Sequence, residues 1–240
     1  PTYIFDLHCD TLDRLALHKS FPDAGFMEQD AAIPDAHMSS LASNDCHIAL
    51  DRMAKAQYAW CQCFAAFIPD HMPADWGWQV FCAVRDFFQS QLAEHAALIE
   101  QVHDARDIRG IVDSGKCAGM FTVEGGSFIE GSLDRLHAAA DAGVKMLTLT
   151  WNGKNAIASG NVTTDGLSTF GAQVVRAMEQ RRMVVDVSHL NDTSFWDVVK
   201  ASSRPFAASH SNSRAVCAHP RNLTDDMFRA LVDRGGIAGF

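Results

Sequence analysis

No apolar run in this sequence approaches the roughly 20 residues needed to span a bilayer, and its start, PTYIFDLHCDTL, has no basic stretch leading into an apolar one. Membrane insertion is therefore not expected. Basic residues are also short: 20 Lys and Arg stand against 29 Asp and Glu, and the net charge of -9 repels phosphate backbones and anionic lipid surfaces. Nucleic acid is not an expected partner. Other absences are the CxxC pairs of structural zinc sites, the GxSxG turn of a serine hydrolase and a Gly-rich phosphate turn after the first strand. With no low-complexity tract, fixed-period repeat or charge block either, nothing marks a second domain.

What is present is a chain of 240 residues, 48% hydrophobic, long enough to bury one sizeable core as a single domain over 1–240. Its seven cysteines (9, 46, 61, 63, 82, 117 and 217) are odd in number and irregular in spacing, so they read as reduced core residues. Reduced thiols place the protein in the cytoplasm; because the chain opens at Pro1, export stays open.

Short apolar runs alternate with helical segments, the pattern of repeated βα units around a parallel sheet. Seven runs read as strands: YIFDLH, YAWCQCFAAF, CAGMFTVEG, KMLTLT, MVVDVSH, PFAASH and GGIAGF. Between them GWQVFCAVRDFFQSQLAEHAALIEQV, SLDRLHAAADAG, TFGAQVVRAMEQRR, DTSFWDVVKAS and TDDMFRALVDRG carry apolar residues at helical spacing. The predicted fold is α/β, a TIM-type (β/α)8 barrel whose last strand and helix lie beyond Phe240, so that the domain is C-terminally incomplete. A doubly wound open sheet is the architectural alternative. Residues 17–56, with Pro22, Gly25 and Pro34, are too long for an ordinary connection and read as an excursion over one end of the barrel.

Polar residues gather at the C-terminal tips of the strands, where a parallel barrel builds its active site. In FDLHCDTL, His8 and Asp10 are two apart and share a face with Asp6, while Cys9 looks the other way. Glu124 ends an apolar run in FTVEGG, ahead of glycines that permit a sharp turn and a close ligand. His189 in DVSH and His210 in AASH each close a strand, with a serine just before. Taken singly, each has a bland reading as a capped turn or hydrogen-bonded structural residue. Four strands that all end in a potential metal ligand are a different matter, and the donor count exceeds what one catalytic zinc with an open position needs. Two ions sharing one water are implied.

These motifs resemble those of the membrane dipeptidase (renal dipeptidase) family of metallopeptidases, peptidase family M19. FDLHCDTL is similar to its first metal motif, VEGG to its bridging-glutamate motif, and DVSH and SHSNSRAVCAHPRNLTDD to its two histidine motifs, in the same order across nearly the whole chain. The resemblance implies two Zn2+ ions, one on His8 and Asp10 and the other on His189 and His210, with Glu124 bridging as the catalytic carboxylate. It implies hydrolysis of dipeptides by a metal-bridging hydroxide, with Arg221 in HPRN gripping the substrate carboxylate through two hydrogen bonds. The sequence departs from the mammalian pattern twice. LTLTWNGKN puts Trp151 where those enzymes carry a substrate-contacting histidine, leaving Trp151 and Asn152 as substrate contacts. The catalytic aspartate of the family, in an Asp-x-Asp-Gly motif after the eighth strand, is not among these residues. A related amidohydrolase acting on a lactam, lactone or phosphoester, and an inactive metal-binding relative serving as a binding module, are the alternatives. A homodimer is compatible with either.

Overall fold

The computed structural model describes residues 2–20, 38–56 and 58–240, in two compact units: 1–66 with 80–121, and 67–79 with 122–240. Of the expected excursion, residues 21–37, with Pro22, Gly25 and Pro34, lie outside the described residues. No helix among the described residues is long and apolar enough to cross a membrane.

The first unit pairs β1 (Tyr3–Asp6) parallel to β2 (Ala59–Phe67), and β3 (Ile99–Gln101) parallel to the start of β4 (Cys117–Glu124). Helices α1 (Thr11–Ser20), α2 (Leu50–Lys55), α4 (Ala105–Asp113) and, from Val80 onward, α3 (Ala74–Glu94) complete it. Its core is aromatic: Phe64, Phe81, Phe88 and Phe121 are fully buried, with Phe88 and Phe121 stacked at 5.2 Å between ring centroids. Each such side chain contributes roughly 1.5–3 kcal/mol through burial. Cys9, Cys61 and Cys117 belong to the same interior, and burial raises all three thiols, Cys61 to about 12. They are apolar packing groups in practice, as expected from the sequence.

β3 departs from the expected pattern. Residues 98–102, LIEQV, had the spacing of a continuing helix, but α3 stops at Glu94 and Ile99–Gln101 pairs in register with Cys117–Gly119. Short apolar runs are ambiguous between the two periods, and here pairing with the start of β4 decides.

The second unit carries the end of β4 and then β5 (Met146–Thr148), β6 (Val184–Asp186), β7 (Ala207–Ala208) and β8 (Ile237–Ala238), each parallel to its predecessor in the chain. Between them run α5 (Leu133–Asp141), α6 (Thr169–Gln180), α7 (Asp192–Ala201) and α8 (Asp225–Asp233). All seven strands read from the sequence are present, and the ladders between these strands are parallel among the described residues. Helices α6, α7 and α8 each start on a capping side chain, Ser168, Asn191 and Thr224, which accepts a backbone N–H of the first turn. Such a cap is worth about 1 kcal/mol and fixes where the loop before it must end. Asn191 thereby pins the chain two residues beyond His189.

Candidate metal centre

The register of the second unit lines up its polar residues. Glu124 stands beside Thr148, Thr148 beside Asp186 and Asp186 beside Ala207, so neighbouring strands end in one row. His189 and His210 both lie three residues beyond that row, one after β6 and one after β7. Parallel pairing without slippage is what turns separate strand ends into a cluster.

Glu124 is 4% exposed. The chain turns away behind it at Gly125, whose φ of 93° is a conformation that L-residues avoid. A Cβ there would lie 2.0 Å from the Ile68 carbonyl oxygen. That carbonyl cannot easily yield, because Ile68 is tied by its own N–H to the Glu124 carbonyl at 2.8 Å. Gly125→Ala is expected to lower stability by about 2–4 kcal/mol through overpacking and left-handed backbone strain, and to displace the carboxylate. Thermal melts of the metal-free protein check the first effect, and zinc stoichiometry checks the second.

Around Glu124 sit the two imidazoles. His189 Nε2 lies 2.7 Å and His210 Nε2 3.6 Å from Glu124 Oε1, and the two Nε2 atoms are 2.9 Å apart. Their opposite ring nitrogens are spoken for. His189 Nδ1 is 2.9 Å from Asn152 Oδ1, an atom that only accepts and that also takes a hydrogen bond from Asn161 Nδ2 at 2.6 Å. His210 Nδ1 is 2.7 Å from Ser209 Oγ. With the protons kept on Nδ1, both rings turn lone pairs towards a carboxylate oxygen. Three electron-rich atoms at these separations repel one another unless a cation draws them together. Neutral imidazole and carboxylate are the donor set that suits zinc, so the residues fit the ion. Burial lowers the His189 ring below its ordinary value, with Arg221 and His210 adding to the effect and Glu124 opposing it. A neutral ring is the form a metal requires. His189 also holds a φ of 72°, and Asn161 N–H donates to its carbonyl at 2.8 Å, anchoring a conformation rare for a non-glycine.

Behind the histidines lies a carboxylate that sequence reasoning passed over. Asp186 is 0% exposed and takes four hydrogen bonds: to Oδ1 from the Ser188 and Ser209 N–H groups at 3.0 and 2.9 Å, and to Oδ2 from the Thr148 and Ser209 hydroxyls, both at 2.5 Å. Burial alone would raise its pKa, but the nearby His210 ring and these donors outweigh it and hold the group below the usual carboxylate range. It is therefore an anion. The available signal was an acidic residue inside the otherwise apolar strand MVVDVSH.

Asp70 is a second such residue. From the loop after β2 it accepts the Trp151 N–H at 3.1 Å, the Gly153 N–H at 2.8 Å and Asn155 Nδ2 at 3.2 Å, so it braces the loop that carries Trp151 and Asn152. The Trp151 ring meets Phe67 edge-on at 5.2 Å between centroids and lies 6.5 Å from the His189 ring. Arg221 donates from its two terminal nitrogens to Ser211 Oγ at 2.8 Å and to the His210 carbonyl at 2.7 Å. It makes no ion pair among the described residues, so a half-buried guanidinium keeps three N–H groups for an anion.

In the first unit, His8 and Asp10 follow β1 directly. Cys9 keeps pairing with β2, its N–H on the Cys63 carbonyl at 3.1 Å and its carbonyl on the Ala65 N–H at 3.0 Å, which is one residue out of step with Asp6 opposite Gln62. A bulge therefore lies between Asp6 and Cys9. Cys9 is buried, as expected, while His8 Nε2 and Asp10 Oδ1 meet at 3.1 Å. Asp6 turns its Oδ1 to the His8 N–H at 3.1 Å.

Residues 2–240 match the family model described as membrane dipeptidase, peptidase family M19. An uncharacterized Klebsiella pneumoniae protein encoded in the pqqA 5' region is 31% identical over 175 residues, which are 70% of this chain and 63% of that protein. Dipeptidase 3 of Macaca fascicularis is 31% identical over 178 residues, 68% of this chain and 36% of the relative. The chain thus spans less than two thirds of the length of either. Among solved structures, a metallopeptidase from Rhodobacter sphaeroides liganded with a phosphinate mimic of the dipeptide L-Ala-D-Ala aligns with a TM-score of 0.83 at 24% identity, over 99% of this chain and 73% of that one. That likeness is one of fold, and it bears out the TIM-type α/β expectation.

Proposed function

Because this chain belongs to the membrane dipeptidase family, peptidase family M19, we propose that it is a zinc-dependent dipeptidase. The observation that carries this reading is the buried Glu124 carboxylate with two imidazole Nε2 atoms turned towards it, their Nδ1 protons held elsewhere. His189 and His210 would hold one Zn2+, and His8 with Asp10, already in contact, the other; Glu124 would serve both. Such a pair of ions supplies a water of lowered pKa as nucleophile and polarises the scissile carbonyl.

The chain's own groups would do the rest. Glu124, kept rigid by the turn at Gly125, holds its charge where positive charge must be balanced. Arg221 offers its unused N–H groups to the substrate's C-terminal carboxylate, a match of planar fork to planar anion. The Asn152 side-chain oxygen is occupied by His189 and Asn161, so its amide N–H groups are what remains for a substrate. Trp151, wedged between Phe67 and His189, supplies an aromatic wall beside the reacting bond. Reading both ends of so short a substrate would exclude longer peptides. Seven cysteines read as thiols rather than disulfides support a reducing, cytoplasmic setting.

Purified full-length protein loaded with zinc is expected to cleave simple dipeptides and to spare tripeptides and amidated dipeptides, as followed by ninhydrin or mass spectrometry. Turnover of a cyclic amide with none across a broad dipeptide panel, or two bound zinc ions with no turnover of anything tested, would overturn it.

A further inference from the structure

Two histidines that face one carboxylate are held from behind in different ways. His189 rests on a neutral amide, Asn152. His210 rests on a hydroxyl that is itself tied to a fully buried anion, because Ser209 Oγ is 2.7 Å from His210 Nδ1 and 2.5 Å from Asp186 Oδ2. The direction of that chain is forced. An ionised carboxylate only accepts, so the Ser209 hydroxyl must spend its one proton on Asp186 and can offer His210 nothing but a lone pair. His210 Nδ1 must then carry the hydrogen, and Nε2, on the opposite side of the ring, keeps the lone pair and lies 3.6 Å from Glu124 Oε1.

The arrangement is over-determined, which separates it from a chance contact. The Ser209 N–H also donates to Asp186, at 2.9 Å, so the residue is bound through both main chain and side chain. The His210 N–H donates to Ser188 Oγ at 3.1 Å, and Arg221 holds the His210 carbonyl at 2.7 Å. The ring can neither rotate nor change tautomer without breaking a buried hydrogen bond.

We propose that Ser209, backed by the buried Asp186 carboxylate, is a positioning residue that fixes His210 as its Nδ1-protonated form and so presets its Nε2 as a metal ligand. The inference rests on the reading of His210 as a zinc ligand given above. A carboxylate behind a ligating imidazole usually touches it directly. Here a hydroxyl stands between, which passes on orientation while keeping the anion one atom further from the ion.

The test uses the protein labelled with 15N-histidine, with His210 resonances assigned through H210Q, and a chelator competition for zinc. In the unsubstituted protein, His210 Nδ1 is expected to show the signature of a protonated nitrogen in both metal-free and zinc-loaded forms. Ser209→Ala should mix the tautomers in metal-free protein and weaken zinc binding about 10–100-fold. Ser209→Thr, which keeps the hydroxyl, should stay within about 3-fold of the unsubstituted protein, on the same scale of effects. A pyridine-like His210 Nδ1 in the unsubstituted protein would overturn the proposal whatever the variants do, and so would Ser209→Ala binding zinc with undiminished affinity. Neither readout needs catalysis. If no dipeptide is cleaved but these results hold, the dipeptidase reading falls and this one stands.

Discussion

Replacing Glu124 by Gln is expected to abolish dipeptide cleavage, with kcat/KM falling at least about 10³-fold, while the protein stays folded. The side chain keeps its shape, so the loss reports the charge. That charge lies 2.7 Å from His189 Nε2 and 3.6 Å from His210 Nε2 and is the anion shared by the whole cluster. Electrostatic work of about 4 kcal/mol on the transition state, reasonable for a metal site, corresponds to three powers of ten. Bound zinc per chain should drop in parallel. The melting temperature of the metal-free form should hardly move, because an amide N–H beside a neutral imidazole makes an ordinary hydrogen bond. Activity within tenfold of the unsubstituted protein at full zinc occupancy would refute Glu124 as the bridging carboxylate.

Asp186→Ala should add to weaker zinc binding a large cost to the fold itself. Truncation leaves two backbone N–H groups and two hydroxyls pointing into a space where Asp186 is 0% exposed. Each unpaired buried donor costs about 1–3 kcal/mol, and because the losses are not additive the total should be about 5 kcal/mol. For a chain of this length that lowers the melting temperature by about 10–20 °C. The pH dependence follows from the sign of the shift. The folded-state carboxyl lies below its ordinary value, so its stabilisation is fully present above about pH 4, the unfolded-state range of aspartate, and is lost as pH falls further. Melts of metal-free protein between pH 3 and 7 should therefore show a steep acid limb that is flatter in Asp186→Ala. An unchanged acid limb would assign that titration to other groups.

These two residues mark how far the candidate site was legible in the sequence. Glu124, His189 and His210 announce themselves because each is a polar residue abruptly ending an apolar run, a local pattern that needs no knowledge of the fold. Asp186 carries a weaker mark, an acidic residue with another apolar one after it. It is the last residue of β6, and its donors include Thr148 and Ser209, 38 and 23 residues away. Asp70 is hidden for the same reason, its partners Trp151 and Asn155 lying 81 and 85 residues away. β3 was missed differently: a run of three residues fits either period, and only its pairing partner tells.

By itself the sequence determined the alternation of strand and helix, the parallel sheet and the identity of the residues at the strand tips, since hydrophobic periodicity and the break in it are properties of neighbouring residues. Tertiary structure decided the register that sets Glu124, Thr148 and Asp186 side by side, and with it which nitrogen of each imidazole carries the proton. A proton goes where its acceptor is. For His189 that acceptor arrives on another loop 37 residues away, and for His210 it is an adjacent hydroxyl whose direction is fixed by an anion on the next strand.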